Sequence, residues 1–256
     1  AQRPTMASMQ ATRRNMEPRT SIRPVTSAVE VFKLESHRVK VPTYYALLSR
    51  DEKKRADRFT VPKVRERFII SRALLRKTVA KRINVKPNEV VFAYGPHGKP
   101  QLDSVMTGVQ LDGPLHFNVA HSENVVLICL SVLPTGADVE CLRKISSPDR
   151  VAKKILSAGV LAAFNKLPKN IRDEVLLNVW IRKESIVKAL GCGLTIPVKN
   201  FEVWKGDPKK PHDFVDQVAI SGLGTENCVV ESHVLKMPKS YIGVVSFVRR
   251  QKPMSC

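Results

Sequence analysis

Apolar and polar residues alternate over Ala28–Leu34, the period-two pattern of a half-buried strand. Around 44–50 the pattern turns helical. The charged segment 51–60 reads as a helix that must stop before Pro62. A longer helix follows over 63–82, with Val64, Phe68, Leu75 and Val79 on one face and Ile69, Leu74 and Ile83 beside them. Val90–Tyr94 predicts a strand, and Gly95–Pro100 is a turn by composition. His116–Ser122 begins a second strand-and-turn, and Val125–Val132 is continuous enough for a fully buried strand. A further strand spans 135–140, and helices are expected over 148–166 and 171–190. The remainder, 198–249, reads as β-rich, with runs at 201–204, 215–220, 228–230 and 241–248.

Each half therefore mixes strands with helices, which predicts an α+β protein of two similar lobes. The expected division is an arm at 1–27, an N-terminal lobe at 28–134 and a C-terminal lobe at 135–250. The arm holds five Arg, no Lys and one acid, Glu17, and lacks a sustained apolar period. It reads as disordered, or as an organelle transit peptide, which would make the destination mitochondrial or plastid rather than cytoplasmic.

The stretch Val179–Gly191 organises the rest. Leu176, Val179, Trp180, Val187 and Leu190 form one apolar stripe, and Gly191 supplies a stop. Lys183 falls on the seam between Trp180 and Val187, where a charge must be paired or must snorkel. Glu184 and Lys188 share a face, as a surface ion pair or as an acid and a base beside a buried stripe. Asp138 and Glu140 point to the same side of their strand, just past Gly136. That pair reads as an exposed acidic strand face or as a hard-cation site.

Composition narrows the partners. The 256 residues carry a net charge of +20. Half of it lies in residues 50–86, where 14 Lys and Arg face 4 Asp and Glu. Such a field attracts phosphates, nucleic acid or acidic proteins. No apolar run approaches the ~20 residues of a membrane span. Five scattered cysteines form no metal-ligand spacing and suit a reducing compartment.

Three stretches stand together in order: Gly98-Lys99-Pro100 with Phe117-Asn118-Val119-Ala120-His121-Ser122, then Gly136-Ala137-Asp138-Val139-Glu140, then Trp180-x-x-Lys183-Glu184-Ser185-x-x-Lys188-Ala189-x-Gly191. Upstream lie Arg55-x-x-Arg58-Phe59 and Arg65-x-Arg67-Phe68-x-x-x-Arg72-x-x-Leu75-Arg76. Across about 45–200 the chain resembles the 4'-phosphopantetheinyl transferase superfamily, of the longer, surfactin-type single-chain kind. The resemblance implies two pseudo-symmetric α+β lobes with the site between them. It also implies transfer of the phosphopantetheine arm of coenzyme A to a serine of an apo acyl or peptidyl carrier protein, releasing adenosine 3',5'-bisphosphate. Carried onto this sequence, it places Mg²⁺ on Asp138, Glu140 and Glu184; the expected catalytic groups are then Glu184, or a water on the metal, as the base and Lys188 against the bisphosphate leaving group. It assigns Lys99, His121 and Lys188 to coenzyme A, and the basic residues Arg55, Arg58, Arg67 and Arg72 are expected to meet its phosphates or an acidic carrier.

Three positions depart from the family pattern: Ala120 where a serine is frequent, Cys192 between two glycines, and Val160 where an acid often starts a helix. The expected assembly is a monomer with neither membrane nor nucleic acid as partner. The competing readings are a basic nucleic-acid-binding module, favoured by the charge, and a family member that binds carriers without catalysis.

Overall fold

A computed structural model describes residues 27–96, 98–193, 197–220 and 228–250. The arm predicted at 1–27 lies outside them, apart from Ser27.

Strand β1 (Ser27–Lys33) opens the described chain. A 3₁₀ turn over Leu34–Lys40 leads into α1 (Val41–Leu47) and α2 (Arg50–Asp57). Helix α2 starts with a capping box: the Ser49 hydroxyl accepts from the Glu52 N–H, and the Glu52 carboxylate accepts from the Ser49 N–H. Helix α3 (Pro62–Ile83) has proline in its first turn and closes at Asn84 in the left-handed region. A short hairpin of β2 (Phe92–Tyr94) and β3 (Pro100–Leu102) follows, then the brief α4 (Ser104–Thr107). Strands β4 (His116–Ser122) and β5 (Val125–Ser131) complete an antiparallel sheet of order β1-β5-β4.

The second half repeats the plan. Strand β6 (Thr135–Cys141) is followed by helices α5 (Pro148–Ile155), α6 (Ala158–Phe164) and α7 (Lys169–Leu190). Then come β7 (Gln217–Ile220), β8 (Cys228–Leu235) and β9 (Tyr241–Arg250), in a sheet of order β6-β9-β8-β7. In each lobe a first strand pairs with the last strand of the lobe, which pairs in turn with the strand before it. A 22-residue helix packs against each sheet, α3 in one and α7 in the other. This is the two-lobed α+β architecture expected, with β7 as an addition to the second lobe.

Strand β5 explains how the lobes meet. All seven of its residues are buried. Val126, Ile128 and Leu130 face the core under α3, with Ile69, Leu75 and Val79. Val125, Leu127 and Cys129 face the other way, onto Ala137 and Val139 of β6 and Val245 of β9. A strand buried on both sides loses the alternation of a surface strand, which is why its apolar run is continuous.

Two local expectations give way. The helix predicted over 148–166 breaks at Leu156 and Ser157, where Leu156 is extended. The break is held from outside. The Ile155 carbonyl accepts from Lys183 Nζ at 2.8 Å, and the Ser157 N–H donates to Glu202 Oε1 at 3.0 Å. The run 201–204 forms no strand, only an isolated bridge between Trp204 and Phe214. Its apolar residues fill the second core, where Trp204 is 1% exposed. Helix α7 is also buried around most of its circumference rather than along one stripe. Trp180 packs half-buried against that core, as read from the sequence.

Lys183 satisfies its buried charge completely. It is 1% exposed and donates to the carbonyls of Ile155, Val198 and Phe201, with Glu202 Oε2 at 3.2 Å. The seam lysine thus ties α5 and the 198–202 segment to α7.

The contact that fixes α7 on the sheet is at Gly136. A Cβ built there would lie 2.0 Å from the Ser185 carbonyl oxygen and 2.3 Å from the Ala189 nitrogen. Only a residue without a side chain lets the helix backbone lie on the strand. Gly136→Ala must push α7 away, and the partner atoms are backbone that cannot rotate aside. The expected cost is about 3 kcal/mol, the upper end for overpacking. Thermal denaturation would register this as a drop of several degrees. An unchanged midpoint would contradict the close packing.

Candidate active site

Gly136, Asp138 and Glu140 share the face of β6 that receives α7, while Ala137 and Val139 point into the inter-lobe cluster. The helix seated at Gly136 carries Glu184 and Lys188 over the acidic pair. Lys188 Nζ donates to Asp138 Oδ1 at 2.6 Å. Asp138 is 6% exposed, and its Oδ2 is buried with no hydrogen-bond partner among the described residues.

The electrostatics follow from this crowding. Burial raises the Asp138 pKa to about 6; Lys188 opposes the shift, and Glu140 and Glu184 add to it. Burial also raises the Glu184 pKa, again opposed by Lys188 and reinforced by Glu140. Asp138 and Glu184 therefore both feel the charge of Glu140 in one low-dielectric recess. Glu140 accepts a hydrogen bond from Ser122 Oγ at 3.0 Å, and Arg143 lies 3.9 Å from the same oxygen. Among the described residues no three acidic, His or Cys side chains close into a metal-ligating cluster. The ammonium of Lys188 is the cation seated against Asp138.

Lys99 and His121 occupy different surroundings. Lys99 Nζ donates to the carbonyls of Thr135 and Lys188, at 2.8 and 2.6 Å. It therefore bolts the β2–β3 turn to the start of β6 and the end of α7. Burial lowers its pKa to about 8. Among the described residues two carbonyls take two of its three donors. His121 is solvent-facing at the end of β4. Protein around the ring lowers its pKa, as do the cations Arg67 and Lys188. The structure thus brings Arg67, His121, Lys188 and the acidic trio into one electrostatic neighbourhood.

The other predicted arginines divide. Arg55 and Arg58 are exposed, with Arg55 stacked over Phe68. Arg72 is 9% exposed and sits 3.5 Å from Glu52, among Phe68, Phe92 and Tyr94. Its guanidinium belongs to the interior of the first lobe rather than to an open phosphate-facing surface. Arginine recurs along 65–76, at 65, 67, 72 and 76, and nothing in that spacing says which arginine turns inward. Ala120 lies 5% exposed in the inter-lobe apolar cluster, where a hydroxyl would need a partner. Cys192 is partly buried at the end of α7, and Val160 packs on the second core.

Two residues were not singled out from the sequence, although the motif contains both. Asn118 Oδ1 accepts from the Ala137 N–H at 2.9 Å, and Ser122 Oγ accepts from the Cys141 N–H at 3.1 Å. Their signal is two polar residues four apart on one face of a strand otherwise facing an apolar cluster.

Both halves of the chain match known proteins. A model of the 4'-phosphopantetheinyl transferase superfamily matches residues 134–218, and one of the 4'-phosphopantetheinyl transferase N-terminal region matches residues 36–132. A Synechocystis protein provisionally named a 4'-phosphopantetheinyl transferase is 30% identical over 65% of this chain and 66% of its own length. The transferase HetI of Nostoc is 33% identical over 58% of this chain and 62% of its own length. The transferase Sfp of Bacillus subtilis is 23% identical over 62% and 67%. The chain thus spans just under two thirds of the length of the first two relatives.

The raised Asp138 pKa has a measurable sign. In unfolded chain the carboxyl ionises near pH ~4, and in the folded, cation-free protein near about 6. Below both values the proton is bound in either state. As pH rises between them only the unfolded chain releases it, so the contribution of Asp138 to stability declines across that window. Thermal midpoints of wild type and Asp138→Asn should diverge in pH dependence between ~4 and ~6. Parallel curves would contradict the buried assignment.

Proposed function

The chain belongs to the 4'-phosphopantetheinyl transferase superfamily, and from that premise we propose that it moves the phosphopantetheine arm of coenzyme A onto a serine of an acidic apo carrier protein. The reaction would be Mg²⁺-dependent and would release adenosine 3',5'-bisphosphate. The observation that carries this reading is the Lys188 ammonium on Asp138, with Glu184 near enough to raise the Asp138 pKa, on a helix seated at the Gly136 contact.

The donor set suits a hard divalent cation. Asp138 Oδ2 is buried with no partner among the described residues, and burial holds the pKa of both Asp138 and Glu184 above the ordinary carboxylate value. A cation held by Asp138, Glu140 and Glu184 would relieve that cost. Bound there, Mg²⁺ supplies charge neutralisation at the pyrophosphate of the substrate. Among the protein groups, Lys99 has one donor without an acceptor among the described residues, and His121 and Arg67 add positive or hydrogen-bonding character for phosphate oxygens. The carrier serine oxygen attacks the phosphorus that bears the pantetheine arm. The bridging P–O bond to the nucleotide breaks, and the serine proton passes to a base. Glu184 fits that role because burial strengthens its hold on a proton. Lys188 is placed to offset charge that develops on the departing bisphosphate. Phosphoryl-type transfer needs this positioning and neutralisation more than covalent help.

The exposed cations Arg55 and Arg58 form the surface proposed to meet the acidic carrier. The net charge alone also fits nucleic acid, but the buried acidic recess has no use in that reading.

The direct test incubates the chain with Mg²⁺, coenzyme A and several apo carriers, and reads carrier mass. The expected outcome is a phosphopantetheine adduct on at least one carrier serine. Coenzyme A binding without any adduct on any carrier would favour a binding-only family member. A second expectation concerns charge. Arg58→Glu should raise the carrier KM several-fold at low salt, and the effect should shrink as salt screens it. Steady-state kinetics at two ionic strengths reads both, and a salt-independent KM would remove Arg58 from the docking surface.

A further inference from the structure

Strands β4 and β6 run side by side but belong to different sheets. No backbone ladder joins them. Strand β6 bonds to β9 along one edge, and its other edge faces β4 across the lobe boundary. Two side chains of β4 take the place of a ladder. Asn118 Oδ1 accepts from the N–H of Ala137, and Ser122 Oγ accepts from the N–H of Cys141. Each bond links residues 19 apart, so the two strands keep one parallel register over this span. The two bonds bracket Asp138 and Glu140. Both side chains are 7% exposed, so water cannot readily replace them.

Ser122 does more than pair a backbone group. Its hydroxyl proton goes to Glu140 Oε2 at 3.0 Å while its lone pair takes the Cys141 N–H. One oxygen thus fixes the strand and the carboxylate together. The competing partner of Glu140 is Arg143, which is exposed and 3.9 Å away. Among the described residues, no other side chain of the first lobe is hydrogen-bonded to that carboxylate.

We propose that Ser122 is a positioning residue for the acidic recess, acting across the lobe boundary through Glu140, with Asn118 holding the register of Asp138 beside it. This rests on the transferase reading of the recess. It ties cation binding in the second lobe to the seating of the first.

The experiment uses the full chain and two variants, Ser122→Ala and Ser122→Cys. The cysteine keeps the volume and supplies only a weak donor. Outer-shell partners of metal ligands are worth about tenfold or more in affinity or activity. Both variants should therefore bind Mn²⁺, measured by calorimetry without carrier or coenzyme A, about tenfold more weakly than wild type. In transfer assays the Mg²⁺ needed for half-maximal rate should rise by a similar factor and kcat should fall. The coenzyme A KM should stay within about twofold, because the phosphate-facing cations are untouched. In a Glu140→Gln background, Ser122→Ala should add little, since the partner it acts through is gone. A merely structural serine would lower the thermal midpoint and leave cation affinity unchanged. Wild-type Mn²⁺ affinity in either folded variant, or failure of both to fold, overturns the positioning role. Absence of transfer by wild type itself would instead overturn the functional reading.

Discussion

Helix α7 can lie on the backbone of β6 because residue 136 is glycine, and the candidate site depends on that contact. The strand contributes acids at every second position, Asp138 and Glu140. The helix contributes Glu184 and Lys188 one turn apart. A helix held off by one methyl group would carry its acid and base away from the strand's acids. Backbone-to-backbone seating also explains the buried hydroxyl chain beneath. Ser185 Oγ meets Ser246 Oγ at 2.6 Å, and Ser246 Oγ meets Ser232 Oγ at 2.8 Å. Such a chain orders the helix on β8 and β9 without bulk, at the cost of needing every partner present.

Cations serve two separate purposes in this molecule. Some are internal struts. Arg76, 2% exposed, donates to Glu52 at 2.7 Å and to the carbonyls of Pro87 and Val90. Lys183 and Lys99 gather backbone carbonyls in the same manner, at the ends of helices and strands whose last acceptors would otherwise be orphaned. Others, such as Arg55 and Arg58, stay at the surface. The number of basic side chains therefore overstates how many can touch a partner, because some are paired or buried in holding the lobes together.

This division explains what could be read from the chain alone. The two long helices, β5 and the glycine stop at Gly191 were legible because period and terminator agree there. The acidic pair on β6 was legible because strand alternation forces Asp138 and Glu140 onto one side. The break at Leu156–Ser157 was not, since it is imposed by Lys183 and Glu202 from distant segments. The run at 201–204 looked like a strand because a buried irregular segment needs the same apolar residues as one. Arg72 looked like its neighbours because burial depends on Glu52, twenty residues earlier, and on the facing hairpin. Asn118 and Ser122 carried the motif's least distinctive chemistry, and their work became visible only once β6 lay beside β4.

In the proposed reaction α7 brings a working acid and base to the carboxylates of β6. Glu184→Gln tests it most directly, because it keeps the volume and the helix while removing the charge. Turnover should be measured at several Mg²⁺ concentrations, with coenzyme A binding followed by calorimetry. Turnover should fall about 100-fold or more with coenzyme A binding retained. Little recovery at high Mg²⁺ would mark Glu184 as the base, and clear recovery would mark it as a cation ligand. Turnover equal to wild type would contradict the assignment of α7 as the catalytic element.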